Sequence, residues 1–171
     1  GNEAARVRDL ARDLGVLDRV VHFLGKRPKT ELPAWLAAST ATFVTCEGLT
    51  LSMRDCVFNK FFDSLAAERP VIANFSGFAT DIAAGTGAGV ILPNADVDAA
   101  ADRLADHLSQ PGWADAAGRK AAALGRDHFD RDYLADLLEQ AMQRAVSSHR
   151  TGASPLGTAF ERLAQANPPT A

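Results

Sequence analysis

The sequence has 171 residues, of which 47% are hydrophobic, 23% charged and 7% aromatic, a size and composition that fit one globular domain with a real core. With a formal net charge of −3 and no run of Lys or Arg, it offers no basic surface for a nucleic-acid partner. No apolar run reaches the roughly 18 residues needed to span a bilayer. Cys46 and Cys56 are too few for a disulfide framework or a four-ligand zinc site, so we expect a cytoplasmic protein with reduced thiols.

Helical and strand-like patterns alternate along the first half of the chain. Apolar residues three and four apart predict helices, and short apolar runs predict strands. In chain order we predict a helix at 3–14, a strand at 19–25, a helix at 30–39, a strand at 41–46, a loop at 47–58, a helix at 59–67, a strand at 70–75, a short helix near 77–84 and a strand at 89–92.

Beyond the last predicted strand the pattern is helical. We predict helices at about 95–108, at 113–124 and at 129–146, the last with an apolar face made of Tyr133, Leu134, Leu137, Leu138, Ala141 and Ala145. We expect residues 1–146 to form one Rossmann-like domain. Residues 147–171 would form a tail, mostly loop, with one possible short helix at 156–165.

Short, fully apolar strands that alternate with helices predict a doubly wound α/β domain, with a parallel sheet flanked by helices and a helical C-terminal segment. Ligands of such sheets bind at the carboxyl ends of the strands. The residues just after the predicted strands are polar and include glycine and lysine: Gly25 and Lys26, Cys46 and Glu47, Asn74 to Gly77, and Pro93 and Asn94. This set fits an anionic, phosphate-bearing ligand.

The segment "NKFFDSLAAERPVIANFSG" at 59–77 carries the sharpest local signal. Asn59 and Lys60 stand at a predicted helix start, where unpaired backbone N–H groups already favour an anion such as a diphosphate. Asp63 lies one turn along, where it could accept two hydroxyl hydrogen bonds from a ribose. A simpler reading remains open, in which Asn59 is an ordinary N-cap and Lys60 and Asp63 form a solvated pair.

The same segment resembles the donor-binding C-terminal domain of retaining glycosyltransferases with the GT-B fold, the family 4 group. "DSLAAERPV" at 63–71 is similar to the second half of that family's motif, a glutamate, seven residues, a second glutamate and then "A-m-A-x-G-x-P-V". Asp63 stands where the family has the second glutamate. Counting back past seven residues from Asp63 gives Asp55, which stands where the family has the first glutamate. "FNKFFDSLAAERPVI" is similar to the version found in bacterial surface-polysaccharide enzymes, with Phe58 where proline is usual.

Two longer segments extend the resemblance to about residues 1–146. "VVHFLGKRPKTELPAWLAASTATFVT" looks like the family's "V-x-F-x-G, e-e-l-p-x-l-y-x-x-a-d-v-f-v" segment. "NFSGFATDIAAGTGAGVILPNADVDAAADRLADHL" looks like its "G-G-x-x-e-i-i … G-x-l-v-p" segment and the helix after it. Each motif is loose alone, whereas the ordered series is fairly specific.

The resemblance implies roles for individual residues. Asp63 would bind the donor ribose, and the turn at Asn59 and Lys60 would face the diphosphate. Gly25 and Lys26 would lie beside the nucleobase, and Ser76 and Gly77 near the diphosphate or the acceptor. Asp55 is the candidate for a catalytic carboxylate. Among the departures, Glu68 replaces the glycine before "x-P-V", which would either narrow the turn or merely expose a charge.

The family's C-terminal domain normally begins with an earlier strand-helix-strand unit that would sit in the middle of the sheet and carry an Arg and a Lys for the phosphates. This chain opens with "GNEAARVRDLARDLG", which resembles the family's sequence just after the second strand of that unit. The acceptor-binding N-terminal half is also absent. We therefore expect half of a GT-B architecture from a longer enzyme, inactive as a fragment; the alternative is a sheet completed in an unfamiliar way.

The function implied by the resemblance is transfer of a hexose, with retention, from a UDP- or GDP-sugar to an acceptor hydroxyl in polysaccharide or glycoconjugate synthesis, without a metal or cofactor. The acceptor, a sugar or a lipid-linked sugar, would bind through the N-terminal domain, and a lipid carrier would put the enzyme at the inner face of the membrane. Two alternatives stay open: a sugar-nucleotide epimerase on the same architecture, and a non-catalytic nucleotide-binding or interaction module.

The acidic stretch "DHFDRD" at 127–132 is a second candidate site, for a metal ion. His128 and Asp132 are four residues apart and would supply two ligands to a metal ion if they lay on one helix. A helix cap and a solvated charged face are the simpler account, and we expect no metal there.

Overall fold

The computed structural model of the protein describes residues 3–46 and 56–151. The chain divides into two compact units, residues 1–39 and 40–171. The first unit contains helix α1 (Ala4–Asp13) and helix α2 (Leu32–Ala38), both close to their predicted positions. The second unit contains the sheet and the remaining helices.

The strand predicted at 19–25 is wrong. The backbone N–H groups of Val20 and Val21 both donate to the carbonyl of Val16, at 3.0 Å each, so they close a local turn instead of a sheet ladder. In the described part of this unit the only β-type pairing is an isolated bridge between Leu17 and Val21. The Val20 side chain is 73% exposed. A strand needs a neighbour to satisfy its backbone, and the described residues of this unit supply none.

The second unit follows the predicted alternation of strands and helices. Its elements are strand β1 (Thr42–Val44), helix α3 (Asn59–Ala66), strand β2 (Val71–Ala73), helix α4 (Phe78–Thr86), strand β3 (Gly89–Ile91), helix α5 (Val97–Ser109), helix α6 (Trp113–His128) and helix α7 (Arg131–Thr151). The strands form a parallel sheet in the order β1-β2-β3. Thr42 pairs with Val71, and Val71 with Gly89, so the three carboxyl ends lie in register at one edge.

Helices pack on both faces of the sheet, although Phe43 of β1, which pairs with Ile72, is 53% exposed. Because neighbouring strand residues point to opposite faces, Val71 belongs to one core cluster and Ile72 to the other. On the Val71 face the core contains buried side chains of α3, α4 and α6; on the Ile72 face it contains Val90 and Leu92, packed against α5 and Trp113. The predicted α/β class with a parallel sheet flanked by helices is confirmed.

The C-terminal helices differ from the prediction at their ends. Helix α6 continues to His128, and α7 begins at Arg131, so the two-residue break places His128 and Asp132 on different helices. The assumption that these two residues share one helix is therefore wrong. Helix α7 continues to Thr151, five residues beyond its predicted end, because no helix breaker occurs before that residue. Its predicted apolar face is largely exposed; Leu138, for example, is 63% exposed.

The turn after α3 explains the unusual residue at position 68. Arg69 N–H donates to the carbonyl of Ser64, and Glu68 N–H donates to that of Leu65, both at 3.0 Å. These two bonds define a Schellman motif, whose characteristic residue adopts left-handed backbone geometry and is usually glycine. Glu68 occupies that position with φ of +56°. The backbone therefore adopts the same turn that a glycine would adopt there, and the glutamate side chain exposes its charge.

We expect Glu68→Gly to raise the free energy of unfolding by about 0.5–1 kcal/mol. Relief of the left-handed strain is worth roughly 1–2 kcal/mol, and the greater freedom of an unfolded glycine offsets part of it. Thermal or urea unfolding measures the change. Glu68→Ala is the matched control, because alanine removes the charge but keeps the strain. Equal stabilisation by both variants would show that charge, not backbone geometry, limits this turn.

Candidate functional site

The residues after the three strands meet at the carboxyl edge of the sheet. Asn74, just after β2, accepts a hydrogen bond from the Cys46 N–H at 2.9 Å through its Oδ1 and donates to the Cys46 carbonyl at 3.0 Å through its Nδ2. The same Nδ2 donates to Oδ1 of Asn94, which lies after β3, at 3.1 Å. One side chain therefore ties all three strand ends together, as the strand-end prediction anticipated for this edge.

The amino end of α3 supplies two of the predicted donor residues. The residue before the helix, Phe58, has extended geometry and gives no side-chain cap, so Asn59 is the first helical residue and not the N-cap. Helix geometry leaves the first N–H groups without partners inside the helix. Asn59 and Lys60 are exposed beside them.

Helix α3 presents Lys60 and Asp63 on its exposed side. Phe61, Ser64 and Leu65 form the buried stripe that holds the helix on the core. Both Lys60 and Asp63 are exposed, and no ion pair joins them among the described residues. The simpler reading of this segment is wrong in making Asn59 the N-cap, whereas its solvated Lys60 and Asp63 agree with the exposure of both side chains. The two charged groups are left available for other partners.

A buried hydroxyl pair fixes α3 against β1. Thr42 Oγ1 lies 2.6 Å from Ser64 Oγ, and Ser64 Oγ lies 2.6 Å from the Lys60 carbonyl. Both side chains are buried, Ser64 almost completely. Because an unpaired buried hydroxyl is costly, this contact holds the helix that carries Lys60 in one register on the strand. Sequence reasoning missed the pair, whose signal was a hydroxyl residue at an apolar position of each element.

Ser76 and Gly77 form the turn between β2 and α4. Gly77 is the residue before the helix, in extended geometry, and its carbonyl accepts from the Asp81 N–H at 2.8 Å. Ser76 Oγ donates to Asp81 Oδ1 at 2.7 Å. The Asp81 carboxylate stands in the first turn of α4, where it offsets the positive end of the helix dipole. This helix start consequently suits a hydroxyl-bearing group better than a phosphate.

Three predicted residues remain: Gly25, Lys26 and Asp55. Gly25 and Lys26 belong to the first unit and lie in a turn where Arg27 Nε donates to the Leu24 carbonyl at 3.0 Å. Both are exposed, and Gly25 has φ of +71° with open space around it. Asp55, the candidate catalytic carboxylate, lies outside the described residues.

Among the residues that the structure describes, no three His, Cys, Asp or Glu side chains are grouped so as to hold a metal ion. Over the same residues, no helix combines the length and the apolar character needed to cross a membrane.

A parallel sheet with helices on both faces and polar residues gathered at its carboxyl edge defines a Rossmann-like α/β domain. Comparison with protein-family models agrees: residues 1–110 match the family described as Glycosyl transferases group 1. The chain belongs to the group 1 glycosyltransferases. Searches of curated proteins and of solved structures returned no match.

Membership of this family sets the general chemistry. The chain is a glycosyltransferase-type domain of Rossmann-like fold, from a family whose members use a nucleotide-sugar donor and an acceptor. The match spans β1 to β3 and therefore includes every strand of the described sheet together with α3 and α4.

Proposed function

We propose that the second unit of this chain is the donor-binding portion of a glycosyltransferase, and that its carboxyl edge holds a UDP- or GDP-sugar. The observation that carries the proposal is the exposed Lys60 and Asp63 on a helix whose start lacks a side-chain cap. Family membership supports it, because the family in general uses a nucleotide-sugar donor.

The proposed position of the donor diphosphate is the amino end of α3. The N–H groups of Asn59 and Lys60, for which no acceptor occurs among the described residues, and the Lys60 ammonium present positive charge there, and Lys60 forms no ion pair among those residues. In the transfer step the leaving diphosphate gains negative charge, so a fixed cation and helix start stabilise the transition state more than the ground state.

The donor ribose belongs beside Asp63. A carboxylate one turn from Lys60 accepts hydrogen bonds from two neighbouring hydroxyls, each worth about 1.5–3 kcal/mol when charge-assisted. The Asp63 side chain is exposed and its carboxylate has no hydrogen-bond partner among the described residues, so both carboxylate oxygens can make this contact. Asp in place of Glu shortens the reach by one methylene group.

Ser76 and Gly77 suit the transferred sugar or the acceptor better than the diphosphate, because the Asp81 carboxylate beside Ser76 repels phosphate. Gly25 and Lys26 remain proposals for the nucleobase, and Asp55 for a catalytic carboxylate. We further propose transfer of a hexose with retention and without a bound metal, in polysaccharide or glycoconjugate synthesis, to an acceptor sugar or lipid-linked sugar held by an N-terminal domain. Such an enzyme would work in the cytoplasm or at the inner face of the membrane.

Calorimetric titration of UDP and GDP into the full-length protein tests this function. We expect saturable binding of one of the two, which also identifies the base. Absence of binding by a protein that unfolds cooperatively would contradict donor binding and favour a non-catalytic interaction module. Incubation with the matching nucleotide sugar then separates transfer from epimerisation, since an epimerase changes the sugar while it stays attached to the nucleotide.

A further inference from the structure

The hydrogen bonds of Asn74 fix the orientation of the Asn94 side chain. Because Asn74 pairs with both the N–H and the carbonyl of Cys46, its oxygen and nitrogen positions are assigned without ambiguity. One Nδ2 hydrogen of Asn74 goes to the Cys46 carbonyl, and the other goes to Oδ1 of Asn94. One lone pair of the Asn94 oxygen is thereby engaged by its neighbour.

The amide nitrogen of Asn94 is consequently left with two hydrogen-bond donors. No acceptor for them occurs among the described residues, and the side chain is exposed. An ordinary surface asparagine turns freely and offers water its oxygen or its nitrogen. Asn94 instead is held in one orientation by Asn74, with both N–H donors unengaged by the described residues, at the edge of the sheet where ligands of parallel α/β folds bind.

We propose that Asn94 donates a hydrogen bond to an oxygen of the bound nucleotide sugar, and that Asn74 is the positioning residue that aims it. The proposal rests on the donor-binding function proposed above and adds a contact to the same edge of the sheet. The ligand oxygen belongs either to the diphosphate or to a sugar hydroxyl, both of which accept from an amide N–H.

Titration of a nucleoside diphosphate and of its nucleotide sugar into the full-length protein separates these two sources. The variants are Asn94→Ala and Asn94→Asp, with Gln110→Ala as a control that removes an exposed amide at the end of α5. If the acceptor is a phosphate, Asn94→Ala weakens both ligands about tenfold and Asn94→Asp weakens them further, because a carboxylate repels phosphate. If it is a sugar hydroxyl, only the nucleotide sugar weakens in Asn94→Ala, and Asn94→Asp restores it, because a hydroxyl also donates to a carboxylate.

A double-mutant cycle tests the role of Asn74. If Asn74 acts by aiming Asn94, Asn74→Ala weakens binding in the wild-type background and adds almost nothing in the Asn94→Ala background. Equal losses in both backgrounds would show that Asn74 serves the structure alone and would overturn the positioning role.

The outcomes also separate this proposal from the function on which it rests. Wild-type affinity for both ligands in both Asn94 variants, with binding still lost in Lys60→Ala, would overturn the Asn94 contact and leave donor binding intact. No binding of either ligand to the wild-type protein would overturn donor binding itself, and the Asn94 contact with it.

Discussion

Replacing Lys60 and Asp63 together by alanine is expected to weaken nucleoside diphosphate binding by about 100-fold or more. The change removes a cation from the diphosphate and a carboxylate from the ribose, and at least two charge-assisted hydrogen bonds of about 1.5–3 kcal/mol each are lost. Both side chains are exposed and lie outside the buried stripe of α3, so the melting temperature should stay close to that of the wild type. Calorimetric titration measures the affinity.

The double variant Lys120→Ala, Asp102→Ala is the matched control. It also removes one lysine and one aspartate, so the net charge is unchanged in both cases, and both side chains are exposed on helices other than α3. Its affinity should equal that of the wild type. Equal affinity in both double variants would place the nucleotide elsewhere than at the start of α3.

Gly118→Ala is expected to lower the free energy of unfolding by about 1–3 kcal/mol, the usual range for overpacking a core. Gly118 is buried in α6, and a Cβ atom there would stand 2.4 Å from the Glu68 carbonyl oxygen, inside any real contact distance. Alanine improves helix propensity by about 1 kcal/mol, but the obstacle is backbone in a hydrogen-bonded turn, which cannot move aside as a side chain would. Urea unfolding measures the loss.

Gly85→Ala provides the comparison. Gly85 lies in α4, and a Cβ atom there would meet nothing within 4 Å, so only helix propensity changes. We expect this variant to be as stable as the wild type or slightly more so. If Gly118→Ala were equally well tolerated, the close approach of α6 to the turn after α3 would be incorrect. Such tolerance would also contradict the fixed placement of α3 next to that turn.

The sheet was predictable because each of its strands is a short, mostly apolar run. The structure keeps the centres of the runs at 41–46, 70–75 and 89–92 but pairs only three residues of each, since the flanking residues already leave the sheet for the turns. The run at 19–25 is also short and rich in apolar residues and is no strand. The difference lies in pairing, which depends on a neighbour supplied from elsewhere in the chain and leaves no trace in the local pattern.

The sequence predicted which residues follow the strands of the described sheet. The rule that ligands bind at the carboxyl ends of parallel strands directs attention to Cys46, Asn74 and Asn94, and the structure joins these three. Their hydrogen bonds link positions 28 and 20 residues apart, so the orientation of each amide could not be read from sequence. The Thr42–Ser64 contact could not be read from the sequence either, because it also joins residues far apart along the chain.

The most direct test of donor binding at this edge is hydrogen exchange of the full-length protein, measured with and without a saturating nucleoside diphosphate. Binding at the start of α3 should slow exchange in residues 59–63, whose first N–H groups have no partner inside the helix. Residues 74–77 should be protected to a lesser degree, and α7 should exchange as before. Saturated binding with unchanged exchange at 59–63 would contradict the placement of the donor at the start of α3.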